Sequence, residues 1–332
     1  MQLEELVTVI IPAANEEAHL GACLESVQTQ EYRRLQIVVV DGASTDGTCD
    51  VVRSRMAEDP RIELMHNPRR NIPSSLNIAL GAARGRWLVR VDAHSTVGPS
   101  YVAIAVDLLR EGRWGGVGGR KDAVGATSAG RAIAAALGSR MGVGNSTYHH
   151  GTSVQVVEHL PFGAYPTDLV RQVGGWDERL FANEDFEFDH RVRQAGWQLL
   201  FDPRLVIRWQ CRQSVPALFR QYHRYGRGKV DVARLHPDSL SLRHLLPPVL
   251  VPYLAAVAAV APTRPRQAAL MAAPYLLTIL AASAVCEGTF DRPRDRAWLP
   301  AAFVAMHVGW GTGIWSGLGQ ALSRATAPRR ER

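Results

Sequence analysis

The sequence predicts an α/β fold, a mostly parallel sheet with helices on both faces, followed by a C-terminal helical membrane region. Three observations carry this expectation. Residues 7–91 alternate short apolar runs with helical stretches. Three of those runs end in polar clusters, at Asn15-Glu16, at Asp41-Gly42 and at Asp92-Ala93-His94. From about residue 236 the chain becomes strongly apolar and keeps a basic balance.

The first apolar run, residues 7–11, stops at Pro12 and has the continuous character of a strand buried on both faces. Residues 16–28 read as a helix. LQIVVV at residues 35–40 is a second buried strand, closed by Asp41-Gly42. Residues 45–57 are helical, with Ser44 or Thr45 as the N-cap. Residues 62–66 form a third strand, residues 74–84 a helix ending at Gly85, and residues 87–91 a fourth strand ending at Asp92. This rhythm argues for a parallel sheet, and in such sheets ligands sit beyond the carboxyl ends of the strands. All three polar clusters lie there.

The middle is less regular. Residues 112–119 are glycine-rich and predict a turn beside a strand, and residues 125–153 predict a loop or flap. Short helices follow over residues 169–173, 185–195 and 217–226. Residues 245–261, 268–286 and 297–322 are then apolar, near the length of about 20 residues that a membrane helix needs. The expected organisation is a catalytic domain over residues 1–235 and about three membrane-associated helices over residues 236–332. Three complete spans would place Arg324, Arg329, Arg330 and Arg332 outside, against the positive-inside rule. A re-entrant first segment, kinked at Pro247, Pro248 and Pro252, resolves the conflict.

Charge follows the same division. The chain has 38 Lys and Arg against 31 Asp and Glu, a net of +7. Residues 1–189 are acidic, with a net of −6, whereas residues 190–235 and 236–332 carry +8 and +5. A basic rear beside apolar runs fits an anionic membrane surface better than nucleic acid. Cys23, Cys49, Cys211 and Cys286 are scattered without a CxxC pair, so reduced thiols are expected rather than a zinc site or a disulfide framework. The N-terminus lacks the basic start of a signal peptide, so the front domain is expected in the cytoplasm, at the cytoplasmic membrane.

The strand-end residues suit transfer of a sugar from a nucleotide. The leaving diphosphate gathers negative charge, and a divalent cation stabilises it directly. Asp92 and His94 offer metal-ligand atoms one residue apart at the end of the fourth strand. Asp41 can accept hydrogen bonds from a ribose or a base; Ser44, Asp46 and Thr48 fit equally well as turn and cap residues. The acceptor hydroxyl must lose a proton, and NEDFEFD at residues 183–189 gathers four acids. Asp185, at a helix start where the dipole favours an ionised carboxylate, is the candidate base. Glu187 and Asp189 read as helix-surface acids, Glu187 pairing with Arg191. Residues 220–229 (RQYHRYGRGK) suit a diphosphate or lipid headgroups, or RNA by stacking.

These segments in this order resemble the family 2 glycosyltransferases of GT-A fold, the Rossmann-like nucleotide-diphospho-sugar transferases, over about residues 6–230. VTVIIPAANEE resembles the opening strand and nucleotide loop, VVVDGASTDGT the base-contacting strand end, and LNIALGAARGRWLVRVDAH the approach to the metal motif. FGAYPTDLVRQVGGWDERLFANEDFEFDHRVRQAG resembles the acceptor-side block. The VDAH form and the QYHRYGRGK stretch before an apolar tail look most like succinoglycan-type exopolysaccharide glucosyltransferases. The resemblance implies a nucleotide sugar, typically UDP-linked, with Mg2+ or Mn2+, inversion at the anomeric carbon, and a polyprenyl-diphosphate-linked acceptor. By position, Pro12, Ala13, Asn15, Glu16, Asp41, Asp92 and Ala93 would contact the nucleotide sugar, with Asp92 and His94 on the metal and Asp185 as base. Glu184, Gln221, Arg224 and Tyr225 would face acceptor or diphosphate. His94 replaces the usual final aspartate of the metal motif, and Tyr225 the usual tryptophan of a QxxRW-like element, which points away from processive polymerisation. The expected function is transfer of a hexose, such as glucose, to a lipid-linked acceptor in exopolysaccharide or cell-envelope glycan synthesis. The alternatives are transfer directly to polyprenyl phosphate, and a membrane-anchored nucleotide-binding module without catalysis.

Overall fold

The computed structural model describes residues 5–326; Arg329, Arg330 and Arg332, named above for topology, lie outside them. In chain order the elements are β1 (Val7–Ala13), α1 (Glu17–Gln28), β2 (Leu35–Asp41), α2 (Thr48–Glu58), β3 (Ile62–His66), α3 (Ile72–Ala82), β4 (Trp87–Arg90), β5 (Ser95–Val97), α4 (Tyr101–Arg110), β6 (Trp114–Val124), α5 (Ser128–Gly138), α6 (Arg140–Val143), α7 (Thr147–His150), β7 (Gln155–Val157), β8 (Ala164–Pro166), α8 (Thr167–Gln172), α9 (Glu184–Gln194), β9 (Gln198–Gln210), α10 (Val215–Leu235), α11 (Leu242–Val260), α12 (Pro265–Val285) and α13 (Leu299–Thr326). They form two compact units, one ending at Asp122 and resuming over Thr147–Gln210, the other made of Ala123–Ser146 and the chain from Cys211 on.

The first unit is built on a mixed sheet in the order β3-β2-β1-β4-β8-β6-β9-β5, with β7 on β9. The β3-β2-β1-β4 half is parallel, as the alternating pattern predicts. The other half is antiparallel, which the sequence pattern did not suggest. β1 and β2 are buried on both faces. Val7, Val9, Ile11, Ile37 and Val39 join the core that includes Leu20 and Leu24 of α1 and Val102 and Val106 of α4. Ile10, Val38 and Val40 belong to the opposite core, with Leu76 and Leu80 of α3 and Phe188 and Val192 of α9. Burial on both faces explains why these strands read as unbroken apolar runs. It also fixes the strand ends, because Ala13 and Asp41 are directly paired across β1 and β2.

Local expectations changed in three places. The turn expected over residues 112–119 is confined to Gly112, at φ 74°, and Arg113; Gly115, Gly116, Gly118 and Gly119 lie inside β6. A Cβ at Gly119 would meet the Leu205 carbonyl oxygen at 1.9 Å, and one at Gly116 the Tyr165 ring at 2.5 Å. The glycines therefore permit close approach rather than a bend. Residues 125–153 are not a loop but hold α5, α6 and α7, with the Thr127 side chain capping α5 through the Gly130 N–H. The N-cap of α2 is Gly47 rather than Ser44 or Thr45, and Asp46 takes over the cap contacts by accepting from the Thr48 N–H at 3.1 Å.

In the second unit α10 runs far past residue 226 and packs along α13 through glycines of both helices. A Cβ at Gly226 would lie 2.2 Å from the Trp310 carbonyl oxygen, and one at Gly313 2.2 Å from that of His223. This close crossing joins α10 to the C-terminal helices, whereas the sequence reading put it in the front domain. The three apolar segments are the helices α11, α12 and α13. Among the described residues only α12 is long and apolar enough to cross a membrane, with mean hydropathy 1.9 and little of it buried.

Candidate active site

Every candidate catalytic group described below belongs to the first unit. The ends of β1 and β2 are locked together by polar contacts. Asn15, in the left-handed region at φ 56°, receives its position from both sides. Its N–H donates to Ser44 Oγ at 2.9 Å, and its Oδ1 accepts from the Thr45 N–H at 2.8 Å. The Glu16 N–H donates to Thr48 Oγ1 at 2.8 Å, and the Gly42 N–H to the Ala13 carbonyl at 2.7 Å. Pro12, Ala13, Asn15, Glu16 and Asp41 thus share one edge, with Asn15 exposed and Asp41 buried. Burial acts to raise the Asp41 carboxyl, but hydrogen bonds from Ser44, Cys49 and His66 outweigh it and hold it below its ordinary value. Asp41 therefore stays ionised at neutral pH.

The end of β4 carries the next group. Arg90 is buried and donates from Nε to Asp92 Oδ1 at 2.9 Å and from Nη2 to Glu184 Oε1 at 3.2 Å. The two acids hold the guanidinium strongly cationic despite its burial. Ala93 is buried beside them. His94 Nδ1 lies 3.0 Å from Glu16 Oε1. A proton on Nδ1 directed at that carboxylate leaves Nε2 as the lone-pair nitrogen, the arrangement common to metal-binding histidines. The donor set therefore suits a divalent cation on a diphosphate: one carboxylate steadied by Arg90, and an imidazole oriented by Glu16.

The start of α9 carries the acid block. Asn183 precedes it in the left-handed region at φ 62°. Glu184 is buried and committed to Arg90, so it is a partner of the Asp92 ion pair rather than a free acceptor-side acid; burial first, then the Asp185 charge, raises its carboxyl. Asp185 is half-buried, with 27% of its side chain exposed. Burial acts to raise its carboxyl, but His159, Arg90, the Phe186 N–H and Lys121 prevail and hold it below the ordinary value. It is the reachable, ionised carboxylate of the block.

Local sequence patterns pass over His159 and Lys121 of this site and misplace Asp189. Asp189, read above as a helix-surface acid, is fully buried and accepts from Tyr165 Oη at 2.8 Å and from the Leu160 N–H at 2.7 Å. It also meets His159 Nδ1 at 2.7 Å, and His159 Nε2 lies 3.8 Å from Asp185 Oδ2. A His-Asp pair therefore stands behind the candidate base. Lys121, on β6, lies over the Trp209 ring at 4.1 Å and the Phe162 ring at 4.3 Å. Burial pushes its ammonium down to about 8 against the pull of Asp92 and Asp185. No local pattern marked it: Lys121 follows Arg120 within β6, and its ring partners come from distant segments. Glu187 behaves as expected, pairing with Arg191 at 2.7 Å, though it too is buried.

Gln221, Arg224 and Tyr225 lie on α10 of the second unit. Gln221 is buried and donates from Nε2 to Tyr225 Oη at 3.0 Å, while Arg224 is exposed, its guanidinium 6.0 Å from the centre of the Tyr225 ring.

Comparison with known proteins adds the family. Residues 8–146 match the model for glycosyl transferase family 2, and residues 87–286 that for glycosyl transferase family group 2. The chain is 32% identical over 248 residues to the succinoglycan biosynthesis protein ExoA of Rhizobium meliloti (strain 1021), covering 74% of this chain and 75% of that one. It is 24% identical over 233 residues to a Methanococcus voltae dolichyl N-acetyl-alpha-D-glucosaminyl phosphate 3-beta-D-2,3-diacetamido-2,3-dideoxy-beta-D-glucuronosyltransferase, covering 67% and 72%. Its fold is similar to that of the mannosyltransferase PcManGT from Pyrobaculum calidifontis, solved with GDP-Man and Mn2+. That match has a TM-score of 0.67 and 22% identity, and covers 96% of this chain and 88% of the other.

Proposed function

This chain belongs to glycosyltransferase family 2, and we propose that it transfers a hexose, with inversion, from a UDP-linked donor to a lipid-linked glycan at the cytoplasmic membrane. The observation that carries this reading is Asp185: an ionised, reachable carboxylate set among Arg90, Lys121 and His159 and beside the Asp92 group.

In this reading Asp41 holds the base or ribose and Asn15 and Glu16 border the nucleotide. Asp185 accepts the proton of the acceptor hydroxyl as that oxygen attacks the anomeric carbon, and the nucleoside diphosphate leaves on the opposite face. Asp92 and His94 would hold Mn2+ or Mg2+, which supplies charge neutralisation on the departing diphosphate. Lys121 adds a cation near both acids. Gln221, Arg224 and Tyr225 serve the diphosphate or the acceptor.

The membrane part of the reading rests on α12 and on large exposed apolar side chains of the second unit, including Leu246, Val249, Leu270, Leu277 and Val285. The lipid-linked acceptor is favoured over bare polyprenyl phosphate by the M. voltae relative, whose name describes addition to a sugar already carried on dolichyl phosphate. The test incubates membranes containing the protein with a panel of sugar nucleotides and a lipid-linked acceptor extract, with Asp185→Asn alongside. Product from wild type and a loss of about 10²–10⁴-fold in the variant are expected. Equal product from both would remove Asp185 as the base, and turnover unchanged by a chelator would remove the metal.

A further inference from the structure

Beside the nucleotide edge, three donors of different chemistry converge from three elements. Asp41 ends β2, Cys49 lies in the first turn of α2, and His66 ends β3 opposite Asp41 in the strand register. His66 Nδ1 is 3.6 Å from Asp41 Oδ2, and one ligand atom from each of the three residues falls within 4.8 Å of the others. Among the described residues this is the one such group of three, and it does not include Asp92 or His94.

The geometry points to a second metal site, in which Asp41, Cys49 and His66 bind a borderline-soft divalent ion such as Zn2+ and thereby compete with the nucleotide. Zinc bonds of about 2.0–2.2 Å to oxygen and nitrogen in a tetrahedron put those two ligand atoms about 3.3–3.5 Å apart, so the Asp41–His66 separation of 3.6 Å needs only a small inward shift. One carboxylate, one thiolate and one imidazole form an ordinary zinc set, with the fourth position open. The same set is a poor choice for Mg2+, whereas Asp92 and His94 hold no sulfur, so the two sites select different ions. Cys49 is half-buried, and burial and the Asp41 charge both push its thiol up, so it is not a reactive nucleophile in its own right. The other three cysteines are buried elsewhere. Asp41 cannot serve a zinc ion and a nucleotide together. The competition rests on the nucleotide role proposed for Asp41; the metal site itself does not.

The experiment titrates Co2+ into the full-length, detergent-solubilised protein under reducing conditions and follows the thiolate-to-cobalt charge-transfer absorption. Expected is a tetrahedral cobalt spectrum that Zn2+ bleaches. Cys49→Ser should abolish the sulfur band, and His66→Asn should weaken cobalt at least as much as loss of an outer-shell partner does, about 10–100-fold. No band in wild type, or a band that survives Cys49→Ser, overturns the site. Competition is read separately, after calorimetry establishes that UDP binds the cobalt-free protein. Added UDP should then release the cobalt, and cobalt retained at saturating UDP overturns the shared use of Asp41. Failure of UDP to bind at all counts against the nucleotide reading alone, because the cobalt spectrum stands without it.

Discussion

Arg90 bridges Asp92, two residues along its own chain, and Glu184, which lies 94 residues away at the start of α9. A single buried guanidinium thus couples the candidate metal acid to the helix that presents the candidate base. Breaking such a pair leaves an uncompensated buried charge, which costs about 3–5 kcal/mol. Arg90→Met is therefore expected to lower the melting temperature of the full chain clearly, while Arg90→Lys, a point charge without the planar fork, recovers only part of it. A methionine variant that melts with wild type would show the bridge to be dispensable.

His159 stands between Asp189 and Asp185, 2.7 Å from the first and 3.8 Å from the second. The His159 ring is the largest of the influences lowering the Asp185 carboxyl. A base with a lowered pKa is active above that pKa and is lost as pH falls through it. Removing that influence raises the pKa, so His159→Asn should move the acid limb of the kcat profile to higher pH. Activity measured from pH 4 upward, about the ordinary carboxylate value, reads the shift directly. A fall in kcat at every pH with the limb in place would assign His159 to packing alone.

The parallel half of the sheet and its strand ends were legible because burial on both faces leaves an unbroken apolar run. LQIVVV ending in Asp41 announces itself. The same local logic failed at the glycines of β6, where the Tyr165 ring, the Leu160 side chain and the Leu205 carbonyl oxygen of β9 press on the strand. It failed again at residues 125–153, although Thr127 before AIAAAL is a readable helix start. The candidate site divides the same way. Asp41, Asp92 and Asp185 lie at positions that strand and helix ends mark. His159 and the buried role of Asp189 depend on partners 24 and 30 residues away, and Lys121 on the rings of Phe162 and Trp209, which no local pattern encodes.

Lys121 tests the electrostatics from the basic side. Its ammonium, pushed down to about 8 by burial, is charged below that pH and neutral above it. If the cation assists the donor diphosphate, the KM for the sugar nucleotide rises as pH passes about 8. Lys121→Arg keeps its charge and should carry tight donor binding to higher pH. Lys121→Met should be weak throughout, losing about 10²–10³-fold in rate if the cation acts as a charge-stabilising donor. A basic limb that is the same in wild type and the arginine variant would assign it to another group.

Glu16 gives the sharpest test of the metal reading, because it acts through His94 rather than on the ion. A carboxylate 3.0 Å from Nδ1 favours the tautomer that presents Nε2. Glu16→Gln keeps the size and can still form a hydrogen bond, but it no longer favours a proton on Nδ1. Outer-shell changes of this kind weaken a metal by about 10–100-fold. The Mn2+ concentration that half-activates the enzyme at saturating donor should rise accordingly, while excess Mn2+ restores the wild-type rate. His94→Asn, which removes the ligand itself, should raise it further and make Glu16→Gln silent in the double variant. If Glu16 instead serves the nucleotide alone, its substitution raises the donor KM and leaves the Mn2+ requirement where it was.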